Sequence, residues 1–199
     1  MFFSFDGRAP RAGKDSYISE TAQVIGDVTI GDCCYIGHGA ILRGDYGRIV
    51  IGSGSAIEEG IVIHAPPGET NDIGGRVTIG HGAILHGRRI GEGAVIGMGA
   101  ILSIRSEIGE GTIIGEGSVV PMNRVIPPRR VAVGNPAKVV REVNDEDKAF
   151  WEYAKQLYID LAKKYLERGL VPLRRESRNA GNVRRNRKSS LKELPRNGH

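Results

Sequence analysis

His64 and His86 each follow an aliphatic residue, at a position that the rest of the chain most often gives to glycine. Arg43 and Glu58 break the same rule. Imidazoles are common ligands for zinc and related ions, and a carboxylate or a guanidinium beside them can orient a group or take part in an ion pair. Metal-assisted chemistry is therefore in prospect, provided that the elements carrying these residues bring them together.

Those elements repeat. Aliphatic residues recur every six positions at Ile18, Val24, Ile30, Ile36 and Leu42, then at Ile51, Ile57 and Ile63. The series resumes at Ile73, Ile79 and Leu85 and runs from Ile90 through Leu102 and Ile114 to Ile126, eighteen units in all. The phase breaks at 42 to 51 and 63 to 73 read as loop insertions, and the unit from 85 to 90 is one residue short. A six-residue period marks a parallel β-helix, whose short strands stack into coils around an aliphatic interior. With three units to a coil, the eighteen units make about six coils. Arg43, His64 and His86 then stack on one face, about 4.8 Å apart by strand spacing, and Glu58 falls on the neighbouring face.

Two stacked histidines are a natural ligand pair, but a catalytic zinc takes three protein ligands and keeps one position open. His81 is the candidate third ligand. It lies on the preceding face with a corner between it and His86, so it is not expected to close on His64 and His86 of its own chain. In a closed ring of three solenoids, a neighbouring chain can supply it. An internal control exists, because "IGHGAIL" occurs at 36 to 42 and again at 79 to 85. His38 shares His81's local context but lies two coils away, about 9.6 Å by strand spacing, too far to share the metal.

The 199 residues suit one domain with an appendage. Residues 1–17 read as an N-terminal cap, 18–130 as the repeat, 131–143 as an exit segment and 144–169 as a C-terminal helix. Asn144 is its N-cap, followed by Asp145, Glu146 and Asp147, and Phe150, Ala154, Leu157, Leu161 and Tyr165 form its apolar stripe. Residues 170–199 read as a basic tail expected to be disordered. From Arg174 onward nine Lys or Arg face two Glu, which more than accounts for the formal charge of +5. The body is therefore slightly acidic, and nucleic-acid binding is not expected of it. Adjacent Cys33 and Cys34 form no disulfide framework. With no signal-peptide pattern at the start and no membrane-spanning apolar run, a reducing cytoplasm is the expected location.

The motifs "RGDYG" at 43 to 47, "IEEGIVIH" at 57 to 64 and "IGHGAILHGRRIGEGAVIGMGAIL" at 79 to 102 resemble those of the γ-class carbonic anhydrase family. The helix, "GLVPL" and the overall length look more like its phenylacetate-degradation and carnitine-operon branch. The resemblance implies an all-β solenoid, a left-handed parallel β-helix assembled as a homotrimer. It further implies that His64 and His86 of one chain and His81 of the next bind zinc, or iron or cobalt, with Arg43 and Asp45 as a structural ion pair nearby. The implied reaction is hydration of CO2 to bicarbonate, with Glu69 as a mobile candidate proton shuttle. One position departs from the family pattern, since Glu58 stands where glutamine is usual; a glutamine can only hydrogen-bond, whereas a glutamate can also take a proton. The branch includes proteins associated with acyl-CoA thioester hydrolysis, for which Arg88, Arg89, Arg129 and Arg130 could meet coenzyme A phosphates. A metal-free hexapeptide acyltransferase with a histidine base and a catalytically silent assembly module are the remaining alternatives.

Overall fold

The computed structural model describes residues 1–173, so the basic stretch from Arg174 lies outside the described residues. Its twenty strands and one helix, α1 (Asp145–Arg168), follow the periodicity closely. Each coil contributes a short strand to each of three faces, and all contacts between coils are parallel in register. Inside, residues of one type of position stack directly: Leu42 on Val24 and Ile63, then Ile63 on Leu85 and Leu85 on Leu102. These five are at most 1 % exposed. Glycine after the aliphatic residue is a matter of space: a Cβ on Gly52 would come within 2.4 Å of the Gly75 nitrogen in the next coil.

The solenoid is longer than its period suggests, at about seven turns. Phe2–Phe3 and Arg11–Ala12 pair in parallel with Gln23–Ile30, so the expected cap is the first coil. Eight residues and a Phe5–Arg8 bridge separate Phe3 from Ala12, which hides the period there. At the other end Val131 and Ala132 pair with Ile113 and Ile114, so the coils run past residue 130. Lys138–Glu142 then folds back antiparallel on Arg130–Val133 and covers the last coil's open edge. The break at 42 to 51 is also no loop. Ile41–Ile51 is one continuous strand that turns a corner, pairing Arg43 with His64 before its register shifts against Gly26 and Val28.

Helix α1 starts as expected. Asn144 and Asp147 form a capping box, each side chain accepting the other's backbone N–H. The Arg141 guanidinium and the Asn144 amide hold the Asp147 carboxyl down at about 2. A depressed carboxyl contributes stability above its unfolded value, near 3.9, and loses it as pH falls through the folded one. Acidification from about pH 4 to about pH 2 is thus expected to loosen the start of α1, seen as lost helical circular dichroism; Asp147→Asn should remove that dependence.

The packed face of α1 matches only the second half of the apolar stripe. Phe150 and Leu157 are 62 % and 48 % exposed. Leu161 and Tyr165 pack as the stripe predicts, joined by Tyr158 and Ala162, against the outward-facing Tyr17, Tyr35 and Ala56 of one solenoid face. Aromatic rings decide the matter, with Tyr165 stacked on Tyr17 at 4.5 Å. Lys155 completes the seam by donating to the Gly93 carbonyl at 2.6 Å.

Candidate metal centre

Coil stacking delivers the first pair. Ile63 and Leu85 are register partners, so the residues after them, His64 and His86, leave the same face one coil apart. Their rings lie 4.8 Å apart, and His64 Nδ1 faces His86 Nε2 at 3.3 Å. Burial lowers the pKa of His86, and positive charge on His64 and Arg43 lowers it further. His86 therefore stays neutral, the form that binds a metal.

Arg43 and Asp45 form the expected pair at 2.7 Å. Burial opposes ionisation of Asp45, but the Arg43 guanidinium and the Tyr46 amide overcome it and hold the carboxyl below its usual value. Asp45 Oδ1 also lies 3.3 Å from His64 Nε2. That contact is close enough for charge attraction yet not aligned as a hydrogen bond, so Nε2 is a buried nitrogen without a proper partner.

This donor set fits zinc. Two nitrogens about 2.05 Å from a tetrahedral zinc stand about 3.3 Å apart, which is the His64–His86 separation observed. A carboxylate on the far nitrogen of one ring is the usual support for such a ligand.

His81 does not join them within one chain. Its Nε2 contacts Glu58 at 3.0 Å and its Nδ1 contacts Glu59 at 2.7 Å. Among the described residues, no three His, Cys, Asp or Glu side chains of the single chain converge as a metal site requires. His38, the twin in sequence, is occupied differently: Ser19 Oγ lies 2.6 Å from its Nδ1, and the Tyr165 hydroxyl 3.5 Å from its Nε2. Glu58 is buried, and burial pushes its carboxyl pKa up. Glu58 forms no ion pair with Arg43, which pairs with Asp45, because the two leave different faces.

Glu69 pairs with the exposed Arg105, whose Nε and Nη2 lie 2.7 Å and 2.5 Å from its Oε1, just before the ladder resumes at Thr70. The arginines proposed for phosphates are split. Arg88 and Arg89 line a 640 Å³ cleft with Glu69 and Arg105, whereas Arg130 pairs with Glu142 at 2.9 Å on another face. Sequence reasoning missed Tyr35, whose hydroxyl donates to Glu59 Oε1 at 2.7 Å; only its aromatic character signalled a role.

The coils, the terminal helix and the similarity described next place the chain in a family: it belongs to the hexapeptide-repeat left-handed β-helix proteins. Carnitine operon protein CaiE of Salmonella newport is 35 % identical over 161 residues, 81 % of each chain. A hexapeptide transferase family protein from Anaplasma phagocytophilum is 32 % identical with a TM-score of 0.79, over 83 % of this chain and 98 % of that one. A putative acetyltransferase from Bacillus cereus is 33 % identical with a TM-score of 0.82, over 84 % and 97 %. No protein-family model matches the chain. Among the described residues, no helix is long and apolar enough to cross a membrane.

Proposed function

We propose that this chain is a metal-dependent enzyme that hydrates CO2 to bicarbonate in the cytoplasm, at sites shared between the subunits of a homotrimer. The observation that carries the reading is the 3.3 Å approach of His64 Nδ1 to His86 Nε2, the spacing that zinc demands of two ligands. Zinc, or iron or cobalt in its place, would lower the pKa of a bound water from about 15.7 to about 7 and so supply a nucleophile at neutral pH.

The chain's own residues do the rest. His64 and His86 present ring nitrogens from a rigid ladder. Asp45, kept ionised by Arg43, places negative charge 3.3 Å from His64 Nε2. His81 of a second chain completes the set. In the single chain both nitrogens of that ring are paired, Nε2 with Glu58 and Nδ1 with Glu59, so one of those contacts gives way when the ring takes up the metal. CO2 needs no phosphate or amine recognition, consistent with a site built at the open face of a solenoid.

A second reading has its own support. The printed descriptions of the solved relatives are transferase and acetyltransferase, and neither says carbonic anhydrase. Acyl transfer from, or hydrolysis of, an acyl-CoA thioester would use the same histidines, with Arg89 in the cleft as the cation that, among the described residues, is not paired with a carboxylate.

One experiment separates the two. Zinc-loaded protein is assayed for CO2 hydration by stopped flow, and in parallel for thiol release from acetyl-CoA with and without an amine acceptor. Hydration that requires zinc and is lost in His86→Ala is the expected result. Thiol release without hydration would replace the proposal by the acyl-CoA reading.

A further inference from the structure

Helix α1 meets the solenoid in two different ways. From Tyr158 onward it is seated on Tyr17, Tyr35 and Ala56. Its first half borders a 320 Å³ groove instead, lined on the solenoid side by the corners of Gly93 and Gly111. Lys148, Trp151, Glu152 and Lys155 all line it, because residues three, four and seven apart share one face of a helix. The volume falls within the range of small-molecule sites.

The deep part of the groove is apolar with a single charge in it. Val95 is 2 % exposed, and its register partner Ile113 continues the same outward column. Val143 and Trp151, both half-buried, line it as well. Lys155 is only 5 % exposed, and its Nζ donates to the Gly93 carbonyl at 2.6 Å. Among the described residues that ammonium has no carboxylate within ion-pair distance: Glu152 is held by Arg76 at 2.5 Å, and Asp145 by Lys148 at 2.8 Å. Burial lowers the Lys155 pKa, as one carbonyl cannot replace the water that a cation loses. An ammonium has three N–H donors, so two remain for an anion that also has an apolar body to lay on these walls.

The rim narrows the choice of anion. Glu92 and Glu110 line the groove as exposed residues and, among the described residues, form no ion pair. They repel polyanions, and the exposed Arg129 beside them offsets only one of the two charges. A single carboxylate can reach Lys155 without bringing further negative charge past these glutamates.

We propose that this groove binds a monocarboxylate with a short apolar chain, its carboxylate on Lys155 Nζ and its chain against Val95, Ile113 and Trp151. The site is separate from His64 and His86, which follow strands of the other sheet. It does not depend on the metal reading.

Trp151 is the single tryptophan of the chain, so its emission reports on the groove directly. The full chain is titrated with sodium hexanoate at constant ionic strength. A saturable change in tryptophan emission is expected, and hexanamide should bind at least about 10-fold more weakly because it lacks the charge-assisted hydrogen bond. Lys155→Met keeps an apolar stem and removes the charge. It should weaken hexanoate by a similar factor while leaving the helical circular dichroism unchanged. Sulfate, doubly charged and without an apolar chain, should not compete. The proposal is overturned by the absence of a saturable change in the wild type, by equal affinities for hexanoate and hexanamide, by competition from sulfate, or by wild-type affinity in Lys155→Met. Should Lys155→Met fold poorly, Ile113→Glu decides, since it sets a further negative charge on the wall and unchanged hexanoate affinity there overturns the proposal as well.

Discussion

His64→Ala is expected to leave the protein folded, empty the site of zinc and cut CO2 hydration by at least about 1,000-fold, because the nucleophile available at neutral pH disappears with the ion. The side chain is 12 % exposed, and its removal takes partners only from Asp45, which keeps Arg43, and from His86 Nε2, the other ligand of the proposed site. Zinc content by elemental analysis and hydration by stopped flow check the result. His38→Ala is the matched control. It lies in the same "IGHGAIL" string as His81, but its ring nitrogens are taken up by Ser19 and Tyr165, so zinc and activity should both remain. Full zinc occupancy in His64→Ala would end the metal reading outright.

Leu85→Ala should have the largest effect on stability of any change near the site. Leu85 is fully buried and stacked between Ile63 and Leu102, directly before His86. Deleting a buried leucine to alanine costs about 2–5 kcal/mol, which for a chain of this size lowers Tm by about 4–20 °C. The cavity opens beneath the His64–His86 pair, so zinc affinity should fall as well. Leu85→Met, which conserves volume, should cost less than about 1.5 kcal/mol. Equal losses for the two variants would mean that the coil tolerates no change at all there, rather than that a cavity is the cause.

Much of this protein can be read from a six-residue period. Once three units are assigned to a coil, the alignment of Arg43 with His64, and of Ile63 with Leu85, follows from counting, and the structure pairs them so. The same counting failed where the period is interrupted. The eight residues between Phe3 and Ala12 concealed the first coil, and the eight between Leu42 and Ile51 read as a loop although the strand runs on through the corner. An extra few residues look alike in sequence whether they leave the ladder or extend it, because backbone hydrogen bonds to the neighbouring coil decide which.

The helix and the glutamates show the same boundary. The apolar stripe of α1 includes Phe150 and Leu157, yet these stay exposed while Tyr158 and Ala162 join Leu161 and Tyr165 in packing on Tyr17 and Tyr35. Glu58 was legible as an oddity in a glycine slot, but its partner was not: His81 comes from the next coil.

Sequence by itself therefore determined the coil, its aliphatic interior, the capped helix and the stacking of His64 on His86, since all of these depend on short periods and local capping. Only the tertiary structure decided the number of coils, the residues through which the helix packs, the pairing of Glu69 with Arg105 and the pairing of Glu58 and Glu59 with His81. Each of those depends on side chains far apart in sequence meeting across a surface, where shape, charge and hydrogen-bond direction select among contacts that periodicity leaves equivalent.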